Sequence, residues 1–131
     1  MNLSKILVLV IDDDVFKAND IRKALAFSGI TNILTVNNQE DAWKEIYKSE
    51  NMEAKIDLIV TDMCYPLSRG NSIDEEAGFK LIERLNIEKI EIPVIVCSSI
   101  KYNVPEILGS VWYNKSRDLE FDFRDVLNRL S

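Results

Sequence analysis

Two short apolar runs, each ending in carboxylate, restrict what this chain can fold into more than any other feature. Ile56-Asp57-Leu58-Ile59-Val60-Thr61-Asp62 is apolar at all but one of its first five positions and stops at an aspartate. Lys5-Ile-Leu-Val-Leu-Val-Ile11 is apolar throughout after its lysine and runs into Asp12-Asp13-Asp14. Runs this short and this rich in Ile and Val, with no polar alternation, read as strands buried on both faces, as in a parallel sheet. An aspartate that ends such a strand stands at the sheet's carboxyl edge, where open α/β folds bind their ligands. Taken alone, Asp62 is more readily a turn former than a functional group. The other strand ends decide between the two.

Helical periodicity fills the intervals. Ala18, Ile21, Leu25 and Ser28 recur at helical spacing before Gly29, so a first helix is read over roughly Val15 to Ser28. Ile33 to Val36 is a short strand. Asn38 then suits an N-cap, with Asp41 in the first turn and a stripe of Ala42, Trp43, Ile46 and Tyr47 on a helix ending near Glu50. Asn51 to Lys55 is a polar connection. Beyond Pro66, the capping-box spacing of Ser72 and Glu75 points to a third helix starting near Asp74 rather than Gly78, burying Phe79, Ile82 and Leu85. Ile92 to Cys97 is a β-branched strand with Pro93 near its start. Lys101 to Leu108 admits about one helical turn, because Pro105 fits only a first turn. Gly109 closes that segment, and Ser110 to Asn114 reads as a fifth strand. Phe123, Val126, Leu127 and Leu130 mark a last helix over about Leu119 to Leu130.

A β-α unit repeated five times predicts an α/β fold. With right-handed crossovers, the expected architecture is a doubly wound five-stranded parallel sheet of flavodoxin-like order 2-1-3-4-5, with helices on both faces. The 131 residues suit a single domain, 1–131. A net charge of −6 argues against nucleic-acid or anionic-membrane partners. No apolar run approaches the ~18 residues of a membrane span. The two cysteines, Cys64 and Cys97, offer no disulfide framework and suit a reducing cytoplasm, where both are expected to be buried thiols. The absence of histidine removes His-based catalysis and His metal ligation within this chain.

In a parallel sheet the carboxyl ends share one edge. Strand one brings Asp12 and Asp13, strand three Asp62, strand four Ser98 and strand five Lys115. Carboxylates so close repel, and a hard divalent cation with oxygen ligands relieves the repulsion. Mg²⁺ on one or two carboxylates keeps positions for water and phosphate oxygens. A lysine and a hydroxyl can then hold the other oxygens of a transferring phosphoryl group.

In this order, Ile6-Leu-Val-Leu-Val-Ile-Asp-Asp-Asp14, Asp62-Met-Cys-Tyr-Pro66, Pro93-Val-Ile-Val-Cys-Ser98 and Lys115 resemble the response-regulator receiver domain over nearly the whole chain. The resemblance implies that Asp62 is the nucleophile toward a phosphohistidine or a small phosphodonor. It implies that Asp13 and Asp62 ligate Mg²⁺ through carboxylates, Asp12 chiefly through water, and Cys64 through its backbone carbonyl. Lys115 would pair with Asp62 and then with the phosphoryl group. Ser98 would hydrogen-bond a phosphoryl oxygen and couple its arrival to a shift of the last two strands. Trp112 stands where the family often carries a switching aromatic, or is simply a strand residue packed on a helix. The activity implied is that of an autocatalytic phosphoacceptor, not a turnover enzyme, with a histidine kinase or phosphotransfer protein as donor.

The sequence departs from the family pattern in three places. Leu67 to Ala77 is an insertion beside the site, read as a lid, a partner surface or a solvated loop. Lys115 precedes Ser116 where the family has proline, so the family's cis peptide is not expected. The stretch from Ser98 to Lys115 is short and truncates the fourth helix. With the chain ending at Ser131, the expectation is a stand-alone receiver in a two-component phosphorelay, signalling through contacts with an as yet unknown downstream protein. The alternative is a degenerate receiver that binds a partner without phosphorylation. A third reading, a haloacid-dehalogenase-like phosphatase using Asp12-x-Asp14, lacks a later strand ending in an acidic pair and lacks room for a cap.

Overall fold

Apolar alternation within each strand divides the core in two. In the computed structural model, which describes residues 2–51 and 55–130, a 3₁₀ turn at Leu3–Lys5 leads into β1 (Leu7–Ile11) and α1 (Val15–Phe27). β2 (Asn32–Val36), α2 (Gln39–Glu50) and β3 (Leu58–Thr61) follow, then two short strands, β4 (Tyr65–Pro66) and β5 (Ile73–Asp74). The chain continues through α3 (Ala77–Ile87), β6 (Val94–Ser98), β7 (Gly109–Trp112) and α4 (Leu119–Leu127). The centre of the polar connection read over Asn51 to Lys55, residues 52–54, lies outside the described residues.

The five longer strands make one parallel sheet in the order β2-β1-β3-β6-β7, the doubly wound arrangement expected from the sequence. Val8 and Val10 of β1 point to a core shared with Ile21 and Leu25 of α1 and Phe123 and Val126 of α4. Leu9 and Ile11 point to the opposite core, with Trp43 and Ile46 of α2 and Leu81 and Leu85 of α3. Helices therefore cover both faces, and the period-two alternation of side chains assigns each strand residue to one of them.

Local signals set the helix ends. Asp14 caps α1, its carboxylate accepting from the N–H groups of Phe16 and Lys17. Asn38 caps α2 as expected, accepting from Asp41 N–H at 2.8 Å. Gly29 takes a left-handed φ of 94° just past the end of α1.

Four expectations are corrected. The capping box of Ser72 and Glu75 does not form: Ile73 and Asp74 pair in a small antiparallel hairpin with Tyr65 and Pro66, and α3 begins at Ala77. The phase of α3 also differs, burying Ala77, Gly78, Leu81 and Leu85 and leaving Phe79 39% exposed, edge-on to Tyr102. The segment from Lys101 to Leu108 contains no helical turn, because Glu106, directly after Pro105, adopts a φ of 61° that no right-handed helix accommodates. The chain thus has three β-α units, then β6 and an extended crossover to the last unit, β7-α4; Tyr102, Val104 and Ile107 of the crossover pack on the second core. Finally, α4 ends at Leu127, short of Leu130.

The insertion is docked. Leu67 C=O accepts from Glu40 N–H at 2.8 Å, and the Arg69 guanidinium meets Asp41 Oδ2 at 2.9 Å. Gly78 is the closest approach of α3 to the segment after β3. A Cβ there would lie 2.5 Å from Met63 Sδ and 2.8 Å from both Asp62 O and Met63 Cα, the last two being backbone atoms that cannot swing aside. Gly78→Ala is expected to lower the unfolding free energy by about 2 kcal/mol through this overlap, as measured by urea denaturation.

Candidate functional site

Strand register, not sequence proximity, assembles the acidic edge. β1 and β3 are paired with Ile11 opposite Thr61, so the next residues, Asp12 and Asp62, emerge side by side. The bond from Asp62 N–H to Ile11 C=O, 3.0 Å, continues that ladder one step, as does Asp12 N–H to Val36 C=O on the other side. Asp12, Asp13 and Asp62 each place a carboxylate oxygen within 4.8 Å of the others. Asp12 is buried, Asp13 and Asp62 partly so.

A residue that the sequence reading passed over completes this edge. Lys17, in the first turn of α1, sends its stem back over the helix N-terminus. Its Nζ lies 2.9 Å from Asp12 Oδ2 and 3.1 Å from Asp62 Oδ2, and its side chain is only 5% exposed. The ring of Tyr113 covers the ammonium from another side, its centroid 5.7 Å away, and the Tyr113 hydroxyl donates to Asp20 of the same helix. A cation at a helix N-terminus opposes the helix dipole; the neighbouring carboxylates outweigh it. The signal was present in the sequence: Lys17, Ile21 and Ala24 fall on one helical stripe, and the apolar members of that stripe face the core.

The remaining expected residues divide. Ser98, the last residue of β6, is buried, and its Oγ accepts from Ile100 N–H at 3.2 Å. Cys64 follows Asp62 by two residues, with its half-buried thiol 3.6 Å from the Tyr102 hydroxyl and from Glu75 C=O. Buried Cys97 has its thiol pushed up to about 12 by desolvation, so the expectation of two buried thiols holds for Cys97 alone. Trp112 is half-buried; its indole N–H donates to Ser99 C=O at 2.9 Å, and Lys101 Nζ lies 4.2 Å from its ring.

Lys115 is not brought to the acids. It is exposed, and among the described residues it makes no ion pair with Asp62, which meets Lys17 instead. Asn114 Oδ1 accepts from both the N–H and the hydroxyl of Ser116, and Arg117 N–H donates to Asn114 C=O. With serine in place of proline, Asn114 to Arg117 closes a turn that carries Lys115 at an outer corner. Asp14 is turned to the start of α1, where its carboxylate caps the helix.

The floor beneath Asp62 is a polar network. Thr61 Oγ1 donates to Asp62 C=O at 2.7 Å and lies 3.2 Å from the Tyr65 hydroxyl; Gln39 Nε2 donates to Ala77 C=O at 2.7 Å. Met63 N–H donates to Asp62 Oδ1 at 2.7 Å, fixing the carboxylate. A cleft of about 940 Å³ opens beside the acids, lined among others by Asp12, Asp13, Phe16, Arg22, Asp41 and Arg69.

Burial pushes the Asp12 carboxyl above its ordinary range; Lys17 opposes the rise and Asp62 adds to it. Asp13 is raised for the same first reason, with Asp62 and Asp14 contributing repulsion. Burial alone would lower Lys17, but Asp12 and Asp62 more than reverse it and hold the ammonium above its usual value. Its contribution to stability is therefore complete below pH 10.5 and disappears only as pH rises through the higher folded value. Asp12 Oδ2, although ion-paired, is buried and accepts no well-angled hydrogen bond. That buried oxygen, whose one partner is the Lys17 ammonium, has two further carboxylates in reach, an oxygen donor set that suits a hard divalent cation.

Comparison of this architecture with known structures gives close matches. The chain superposes on the chemotaxis response regulator CheY4 of Vibrio cholerae with a TM-score of 0.68 at 15% identity, over 95% of this chain and 98% of that one. The fold is that of a response-regulator receiver domain. A receiver domain of a LuxO repressor protein from Vibrio parahaemolyticus matches with a TM-score of 0.69 at 17% identity, over 93% and 87% of the two chains. RcsB from Salmonella enterica serovar Typhimurium, bound to promoter rprA in the presence of the phosphomimetic BeF3−, matches at 0.68 and 19% identity, over 96% and 68%. No protein-family model and no curated protein matches the sequence. The receiver fold is thus established by architecture, and its acidic edge by the geometry above.

Removal of the Lys17 charge tests the electrostatics of this edge. Lys17→Met is expected to cost about 3 kcal/mol of stability in metal-free buffer, since it leaves Asp12 buried and unpaired. Asp13→Asn, which removes a charge that burial and the repulsion of Asp62 and Asp14 disfavour more than Lys17 favours it, is expected to raise the thermal midpoint; calorimetry of both variants checks the opposite signs.

Proposed function

We propose that the chain is a phosphoacceptor switch: Asp62 takes a phosphoryl group with Mg²⁺ at the acidic edge, and the modified domain signals through protein contacts. The observation that carries this reading is the convergence of the Asp12, Asp13 and Asp62 oxygens within 4.8 Å at the carboxyl edge of a receiver fold. Asp12, Asp13 and Asp62 would hold the cation, with the Cys64 carbonyl as a further oxygen donor. Bound there, Mg²⁺ supplies charge neutralisation for the incoming phosphoryl oxygens. The protein's own groups do the rest. Met63 N–H and the Lys17 ammonium fix the Asp62 carboxylate. Ser98, buried at the end of β6, offers a hydroxyl to a phosphoryl oxygen. The cleft beside Asp12 and Asp13 gives a donor room to approach.

A histidine kinase or phosphotransfer protein is the proposed donor; its phosphohistidine would come from that partner, this chain having no histidine. No described helix is long and apolar enough to cross a membrane, which accords with the proposed cytoplasmic setting. The second reading, a phosphorylation-independent interaction module, is favoured by one observation: the Lys17 ammonium pairs with both Asp12 and Asp62, so the fold itself gives these carboxylates a cationic partner.

Incubation with acetyl phosphate and Mg²⁺ should label the wild type on Asp62, and Asp62→Asn should abolish the label in intact-mass spectra. A wild type that never responds would leave only the second reading. Mg²⁺ should also raise the thermal midpoint at neutral pH. Protons compete for the same carboxylates, so this increment should fade as pH falls through the raised Asp12 and Asp13 values, with loss beginning above the ordinary 3.8. A midpoint shift independent of pH would place the metal elsewhere.

A further inference from the structure

We propose that Lys17, carried on α1, is the lysine of the phosphoacceptor site, in place of Lys115 on the chain after β7. The inference rests on the reading of Asp62 as phosphoacceptor and assigns that site its cationic residue.

Three observations converge on Lys17. Its Nζ touches one oxygen of the nucleophile and one of the acidic pair, at 3.1 and 2.9 Å, from a nearly buried side chain. The two oxygens of Asp62 are divided between Met63 N–H on Oδ1 and Lys17 on Oδ2, so the ammonium takes part in setting the carboxylate's orientation. Tyr113 closes the site over the ammonium, and that ring is itself tied to α1 through Asp20. Lys115 has none of these. It sits exposed in the Asn114–Arg117 turn, which the bonds from Ser116 and Arg117 to Asn114 close.

The chemistry follows from position. A carboxylate oxygen of Asp62 forms the new bond to phosphorus, the bond from phosphorus to the donor's acetate oxygen breaks, and acetate leaves with the electron pair. Lys17 keeps its proton throughout. Before transfer it neutralises the nucleophile's resting charge. After transfer it is the buried cation beside the acyl phosphate, paired as a point charge with a phosphoryl oxygen. The same ammonium is also a competitor for a divalent cation, because both are drawn to Asp12 and Asp62.

This dual position gives the test a signature that a purely structural lysine would not produce. The wild-type chain, Lys17→Gln and Lys115→Gln would be titrated calorimetrically with Mg²⁺ alone, and then with beryllofluoride in saturating Mg²⁺. Lys17→Gln should weaken beryllofluoride binding by about tenfold or more, the scale of losing one charged contact to a transferring group. It should bind Mg²⁺ alone as tightly as wild type or more tightly, a competing cation having gone. Lys115→Gln should stay within about twofold of wild type on both, as befits an exposed charge. The assignment is overturned if Lys17→Gln binds beryllofluoride like wild type, if it weakens both ligands alike, or if Lys115→Gln shows the tenfold loss. Should circular dichroism show Lys17→Gln unfolded, the Lys115→Gln arm decides. A wild type that binds no beryllofluoride sinks the phosphoacceptor reading and this assignment together; a binding wild type with an unaffected Lys17→Gln sinks this assignment alone.

Discussion

The ion pairs from Lys17 to Asp12 and Asp62 are the interaction on which the rest of this structure depends. Parallel pairing of β1 with β3 forces two carboxylates out at adjacent positions, and Asp13 follows on the same edge. Burial then raises the cost of their charge. A fold that accumulates negative charge at one point needs a cation there or must give up ionisation. Here a side chain of the fold supplies it, from a helix terminus whose dipole would otherwise repel it. The local rule is broken and the tertiary arrangement compensates, as is expected at functional sites.

The surrounding elements hold the acidic edge rigid. Gly78 lets α3 press directly on the backbone at Asp62 and Met63. Thr61, Tyr65 and Gln39 satisfy one another below Asp62 in a buried network, which at low dielectric resists rearrangement. The docked hairpin of β4 and β5 anchors the inserted segment to the start of α2 rather than leaving it to hang over the site. Preorganisation of this kind holds the Asp62 carboxylate in a defined direction. The identities of 15–19% to structures of the same fold show how little the fold itself depends on overall sequence likeness.

Much was legible before the structure. Uninterrupted Ile and Val runs identified the strands, because only a sheet covered on both faces buries such runs completely. The Asn38 cap, the Gly29 stop and the three acids at strand ends followed from local chemistry that tertiary packing did not overrule. Phe79 was misplaced because an apolar residue in a short helix says little about phase, while Gly78 and Ala77 fit closer to the sheet than any larger side chain could. The extended crossover at Pro105 was half-legible: proline limits a helix, but only the packing of Val104 and Ile107 removes it altogether.

By itself, then, the sequence determined the alternation of strands and helices, and with it the edge to which Asp12, Asp13, Asp62 and Ser98 are delivered. Those consequences are local or follow from strand polarity. Only the tertiary structure decided which lysine meets them. From the sequence Lys115, after the last strand, is expected there; in the fold it is Lys17, on the first helix, that meets Asp12 and Asp62. The choice depends on a turn at Asn114 that carries Lys115 outward and on a helix stripe that brings Lys17 inward. Lysine has a long, flexible stem, so its charge is placed by the surrounding packing and fields rather than by its position in the chain.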